Sequence, residues 1–138
     1  AGHVWIDEGA VISAQALIHQ FVRVGRNVMM QGNSVATMHV PPFTIHAGVN
    51  RVVGLNRVGL RRCGIARDEI TGVRAAFDHF YRRRDRGEAT MAESLREAAS
   101  MAWPGASREF VDFIRWALEA AAPRRRGLCP LGRDPGAT

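Results

Sequence analysis

The sequence predicts a parallel β-helix of six-residue repeats followed by a small domain of three helices, and three observations carry that expectation. Reading every sixth residue gives Ile6, Ile12, Ile18, Val24, Met30 and Ala36. A second column, two positions earlier, gives Val4, Ala10, Ala16, Val22, Val28, Ser34 and Val40. After a break at Val40-Pro41-Pro42, the apolar residues take up helical spacing.

Neither a helix of 3.6 residues per turn nor simple strand alternation explains two small or aliphatic columns locked at period six. In a β-helix each hexapeptide supplies one short strand and one corner, and three close a triangular coil of roughly 18 residues. The larger aliphatic of each repeat is expected to fill the interior and the small one to sit where the wall bends, so that stacked coils bury one continuous column. Pro41 and Pro42 remove two backbone donors and end the pattern. Phe43 to Gly64, rich in Val, Gly, Asn and Arg, reads as a loop or strand return. Ile70, Val73, Phe77 and Phe80 then form the stripe of an amphipathic helix. Thr90 with Glu93 makes a capping box ahead of Met91, Leu95 and Ala98. Pro104-Gly105 separates that helix from a last one with Phe110, Phe113, Ile114, Ala117, Leu118 and Ala121 on one face, stopped by Pro123. Residues 1–64 are thus assigned to coils and return loop, 65–122 to the helical domain, and 123–138 to a flexible tail poor in apolar side chains.

With 46% apolar residues in 138, the chain has material for a packed core rather than a disordered segment. No run reaches the roughly 18 apolar residues of a membrane span, and AGHVWIDEG lacks the basic and apolar parts of a signal peptide. A cytoplasmic protein is expected. The chain opens without Met inside its own repeat, which reads as a fragment. Cys63 and Cys129 lie far apart, without short-spaced ligand partners, and read as free thiols. The net charge of +6 is uneven: residues 1–50 set Arg23 and Arg26 against Asp7 and Glu8, so the excess lies in the second part. An arginine-rich face suits nucleic acid, a membrane surface or an acidic protein. Aromatics do not interleave with the arginines as a base-stacking platform requires, so nucleic acid is not the expected partner.

The motifs GHV (2–4), IHQFVRVG (18–25), VPPF (40–43), GLRRCG (59–64), ARDEI (66–70) and RGL (126–128) occur in one order. In that order and near that spacing the chain resembles the C-terminal part of bacterial UDP-N-acetylglucosamine O-acyltransferases. HQF followed by VPP and GLRR is more specific than the hexapeptide repeat, which many acyltransferases share. The resemblance implies left-handed coils, against the usual crossover rule, and a homotrimer. It also implies transfer of a 3-hydroxyacyl group from acyl carrier protein, held on phosphopantetheine, to the 3-hydroxyl of UDP-N-acetylglucosamine. That step opens lipid A biosynthesis, and no resident cofactor or metal is expected for it. The family's general base is a histidine, a group that titrates near neutrality. It lies about one coil, roughly 18 residues, before GHV, so the chain alone is expected to be inactive.

Carried over residue by residue, the resemblance makes Gly2 the backbone donor to the oxyanion and places His3, His19 and Gln20 in the nucleotide-sugar site. Arg62 corresponds to a phosphate-binding arginine, a task its forked donors suit. Arg61 is a weaker candidate of the same kind, and Asn56 matches a family asparagine before the motif. Met29 and Gly32 fall where side-chain bulk measures acyl length. Val58 and Cys63 depart, standing where Glu and a second Arg are common. His39 and His46 have no match, and His79, beside Asp78 and near Arg82, reads as a solvated helix surface. The related N-acyltransferase of the next sugar intermediate, a non-catalytic trimerising scaffold, and a γ-type carbonic anhydrase remain as alternatives. The last needs three ligand histidines, a pattern that His3, His19 and His39 do not make.

Overall fold

The structure is a computed structural model and describes residues 1–133. Six two-residue strands recur every six residues: β1 Trp5–Ile6, β2 Val11–Ile12, β3 Leu17–Ile18, β4 Arg23–Val24, β5 Met29–Met30 and β6 Val35–Ala36. The first three each pair in parallel with the strand three repeats on, Trp5 opposite Arg23, Val11 opposite Met29 and Leu17 opposite Val35. The result is a three-faced prism. β1 and β4 make its first face, β2 and β5 its second, β3 and β6 its third.

Both sequence columns point inward, because residues two apart in a strand share a side. Val22, Val24, Val28, Met30, Ser34, Ala36 and Val40 are all buried. Ser34 donates from Oγ to the Gln31 carbonyl at 2.6 Å, which lets a hydroxyl sit inside. The small column is therefore interior wall, not the bend it was expected to mark. The bends fall on a third register, where His3, Gly9, Gln15, Phe21, Asn27 and Asn33 take positive φ. Glycine and asparagine accept that conformation readily, whereas His3, Gln15 and Phe21 hold it at a cost on the order of 1 kcal/mol each. At the open end of the prism Ile6 and Ile12 remain exposed.

Phe43 to Gly64 is more structured than a loop. β7, Thr44–Ala47, adds in parallel to β5, and β8, Arg51–Leu55, returns antiparallel along β7. Helix α1, Arg57–Arg62, follows at once, with Asn56 as its cap. Four α-helices and one π-helical stretch complete the described fold: α2 Arg67–Phe77, running through the π-helical stretch Asp78–Arg82 into α3 Arg83–Asp85, then α4 Met91–Ala98 and α5 Ala106–Glu119. The expected three-helix domain thus gains a short helix on the prism side of its boundary. Thr90 caps α4 by accepting from the Glu93 N–H at 3.1 Å, as its capping box foretold. Phe77, Phe80 and Tyr81 pack on Phe110 with ring centroids 6.3–6.4 Å apart. The last helix ends at Glu119, so Ala121 lies beyond it and Leu118 is exposed. Among the described residues, no helix is long and apolar enough to cross a membrane.

The described part of the tail is a docked strap rather than a free end. The His39 N–H donates to the Gly127 carbonyl, the Cys129 N–H to the His39 carbonyl and the Val52 N–H to the Pro130 carbonyl, each at 2.9 Å. Tyr81 donates from its hydroxyl to the Cys129 carbonyl at 2.9 Å, and Leu128 and Cys129 are buried. Residues 134–138 of the expected tail lie outside the described residues.

Candidate functional site

The prism places four candidates on one corner, between its third and first faces. Gly2 and His3 sit directly over Gln20 and Phe21, because the Trp5 N–H donates to the Val22 carbonyl at 3.0 Å and the Ala1 amine to the Ile18 carbonyl at 3.1 Å. Gly2, His3, His19 and Gln20 are all exposed. The His3 ring stacks on Phe21, centroids 5.3 Å apart and planes at 15°. Among the described residues a Cβ on Gly2 would meet nothing within 4 Å, and the left-handed turn belongs to His3 (φ 57°) rather than to Gly2. Among the described residues nothing therefore requires glycine at position 2, and open space lies beside its backbone.

A second group lies on the second face. Met29, Asn56 and Arg62 line a cleft of about 580 Å³ with Gly9, Val11, Asn27, Val58, Gly59 and Cys63. Asn56 is committed to building it: its Oδ1 accepts from the Gly59 N–H at 3.0 Å, and its Nδ2 donates to the Asn27 carbonyl at 2.9 Å. Asn27 in turn donates from Nδ2 to Cys63 Sγ at 3.0 Å, so Cys63 closes the wall as a hydrogen-bonded thiol. A Cβ on Gly9 would collide with the Asn27 side chain. Val58 and Cys63 leave this cleft apolar apart from Arg62 and the two amides.

Arg61 does not join Arg62. Neighbours on a helix point about 100° apart, and Arg61 lines a separate groove with Ile65, Arg67, Ile70, Thr71 and Arg74. Gly32 sits three residues past Met29 on the exposed corner leading to the third face, and a Cβ there would lie 3.2 Å from the Ala14 carbonyl. The corner group and the cleft group lie on different sides of one prism; the single chain does not bring them together.

The other histidines are structural. Buried His39 accepts at Nδ1 from the Arg23 N–H at 2.9 Å and donates from Nε2 to the Arg124 carbonyl at 2.7 Å. Burial, aided by the charges of Arg124, Arg23 and Arg126, holds its pKa below the ordinary 6.5, although the bond to the Arg124 carbonyl opposes the shift. His46 is fully buried opposite Met30 in the strand register, with neither ring nitrogen hydrogen-bonded among the described residues, and burial lowers its pKa to about 4. His79 is a tether between helices rather than a solvated group: Nε2 donates to the Ser94 carbonyl at 2.8 Å, and Arg83 donates to Nδ1 at 3.1 Å. Cys129 is a free thiol pushed up to about 12 by burial. Among the described residues, no three His, Cys, Asp or Glu side chains gather as metal ligands.

Sequence reasoning missed Phe21 and Arg124 at the corner. Phe21 was visible as the third residue of HQF, but only the stacked coil shows it beneath His3.

Residues 39–129 match the family described as UDP-N-acetylglucosamine O-acyltransferase, domain 2. An acyl-[acyl-carrier-protein]–UDP-N-acetylglucosamine O-acyltransferase of Synechocystis is 39% identical over 100 residues, 72% of this chain and 36% of that protein. One of Burkholderia lata is 37% identical over 118 residues, 83% of this chain and 44% of that protein. The UDP-N-acetylglucosamine acyltransferase of Arabidopsis superposes with a TM-score of 0.79 at 27% identity, covering 92% of this chain and 44% of that one. The chain thus spans less than half the length of these relatives. Short repeated parallel strands, the helical region after them and the matched sequence together place the chain in the UDP-N-acetylglucosamine O-acyltransferase family.

Proposed function

We propose that the protein carrying this chain transfers a 3-hydroxyacyl group from acyl carrier protein to the 3-hydroxyl of UDP-N-acetylglucosamine, in the cytoplasm, at the entry to lipid A biosynthesis. The observation that carries this reading is the division of the candidate residues between a corner and the second face. A threefold assembly rejoins them, setting the corner of one prism against the second face of the next. Leu17 and Val49 on the third face and Val11 on the second are 63%, 61% and 53% exposed, and such apolar walls suit burial between copies.

In this arrangement Gly2 donates its N–H to the oxyanion that forms as the sugar hydroxyl attacks the thioester. His3, His19 and Gln20 hold the nucleotide sugar, and Arg62 takes a phosphate beside Asn56. The general base that accepts the hydroxyl proton is assigned to a residue outside residues 1–138, and the departing thiolate recovers that proton. Arg61, Arg67 and Arg74 line one groove and make no ion pair among the described residues, which supplies a cationic surface for an acidic carrier.

The test is acyl transfer from 3-hydroxyacyl carrier protein to UDP-N-acetylglucosamine, measured for this chain and for the full gene product. Transfer by the longer protein alone, as a trimer in sedimentation, is the expected result. Transfer by neither overturns the reading and favours a scaffold or an N-acyltransferase. Transfer by residues 1–138 alone would place the base at His3 or His19. Gly32→Met in the active protein should shift the preferred acyl chain toward a shorter one, read as the ratio of kcat/KM values across chain lengths. An unchanged ratio removes Gly32 from the acyl path.

A further inference from the structure

Arg124, on the strap, reaches back across the first face to the corner that carries Gly2, His3, His19 and Gln20. One guanidinium nitrogen donates to the Phe21 carbonyl at 3.2 Å and another approaches the His3 carbonyl at 3.4 Å. These two carbonyls belong to residues that hold left-handed φ without being glycine or asparagine, 57° at His3 and 68° at Phe21. Their rings are stacked, so the two strained turns form one unit. A bulky residue with positive φ persists only where its surroundings fix it. The forked guanidinium spans two acceptors at once, as a lysine ammonium cannot do with the same rigidity.

The strap that delivers Arg124 is fixed independently of that side chain. His39 donates from Nε2 to the Arg124 backbone carbonyl, and Trp116 lies against the imidazole at 4.7 Å. Arg124 also lies over the Trp5 ring at 5.8 Å, and Arg126 lies over Phe21 at 5.9 Å. The corner is therefore built from three distant stretches of chain: coil one, coil two, and a strap more than a hundred residues later.

We infer that Arg124 is a positioning residue for the transfer reaction, clamping the two left-handed turns so that the Gly2 N–H and the His3 ring keep their places. This rests on the functional reading above, and it leaves Arg124 itself out of contact with substrate. Misplacing a reacting geometry by about 1 Å costs on the order of a hundredfold in rate, so the effect should fall on kcat more than on KM.

Arg124→Met tests this, because it keeps the backbone carbonyl that anchors the strap to His39. In residues 1–138 the His3 ring-proton resonances, displaced by the Phe21 ring, should move toward those of a free imidazole, while the His79 resonances stay in place. In the full gene product kcat should fall about tenfold to a hundredfold, with KM for the nucleotide sugar changing less and the unfolding midpoint nearly unchanged. Arg124→Lys should recover only part of both signals. Unmoved His3 resonances with unchanged kcat overturn the inference, as do equal shifts at His3 and His79, which mean general loosening. A parent protein without transfer activity overturns the functional reading and the catalytic half of this inference. The resonances of residues 1–138 then still decide whether the clamp exists.

Discussion

Arg23→Ala is expected to destabilise the chain by about 3 kcal/mol and to loosen α5 from the first face of the prism. The Arg23 guanidinium lies 4.3 Å from the Trp5 ring, 4.9 Å from Phe113 and 5.0 Å from Trp116. It also grips Asp7, Nη2 to Oδ2 at 2.9 Å and Nε to Oδ2 at 3.1 Å. Each cation–ring contact contributes on the order of 0.5–1 kcal/mol when partly desolvated. Removing the arginine also leaves the Asp7 carboxylate unpaired at 15% exposure, a further loss of about 1 kcal/mol. The rings come from both modules, Trp5 from coil one and Phe113 and Trp116 from α5, so this one cation joins prism to helices. Arg23→Lys should recover less than half, because an ammonium lacks the planar fork that stacks and chelates together. Urea unfolding followed by tryptophan fluorescence measures both variants. Wild-type midpoints in Arg23→Ala, or full recovery in Arg23→Lys, would remove Arg23 from this role.

Acid should weaken the fold through His46. In the folded chain burial keeps its imidazole neutral down to about pH 4, whereas in the unfolded chain it takes a proton near 6.5. Between those values the unfolded state binds more protons, so stability falls as pH drops through the window and levels off below it. At about 1.4 kcal/mol per pH unit the loss is on the order of 3 kcal/mol, and buried His39, also lowered, acts in the same direction. His46→Met should flatten much of this slope, since a methionine continues the column that Met30 occupies above it. Comparing the two proteins at pH 7.5 and 4.5 cancels the carboxylates they share. Parallel pH profiles would show that His46 does not drive the acid loss.

The prism was legible because coil stacking repeats one local rule, and Val22, Val24, Val28 and Met30 obey it at full burial. The same rule foretells the corner: one coil after Gly2 and His3 come Gln20 and Phe21. Residues 43–62 were less legible because the repeat stops at Val40-Pro41-Pro42. There Gly25 makes room for Pro42, whose N would lie 2.5 Å from any Cβ at that position. Without the repeat, an antiparallel strand and a one-turn-and-a-half helix leave little periodic signal. That omission hid the divergence of Arg61 from Arg62. The strap was illegible for another reason. Only Leu128, Cys129 and Leu131 are apolar in it, and hydrogen bonds to His39, Val52 and Tyr81 hold it, none of which a hydrophobic pattern reports.

The reversal of β8 along β7 decides where such a prism can change length. Parallel coils form a one-dimensional stack to which another coil adds without altering its neighbours. β8 interrupts that translation, and the strap then bridges Val52 to Leu131 along the same edge. Duplicating one whole coil upstream of Ala36 would keep every inward column in phase. The same insertion between Val40 and Leu55 would displace the turn, the α1 cap and the strap together. Growth and shrinkage of the repeat are thereby directed to one end, while the other works as a fixed terminus.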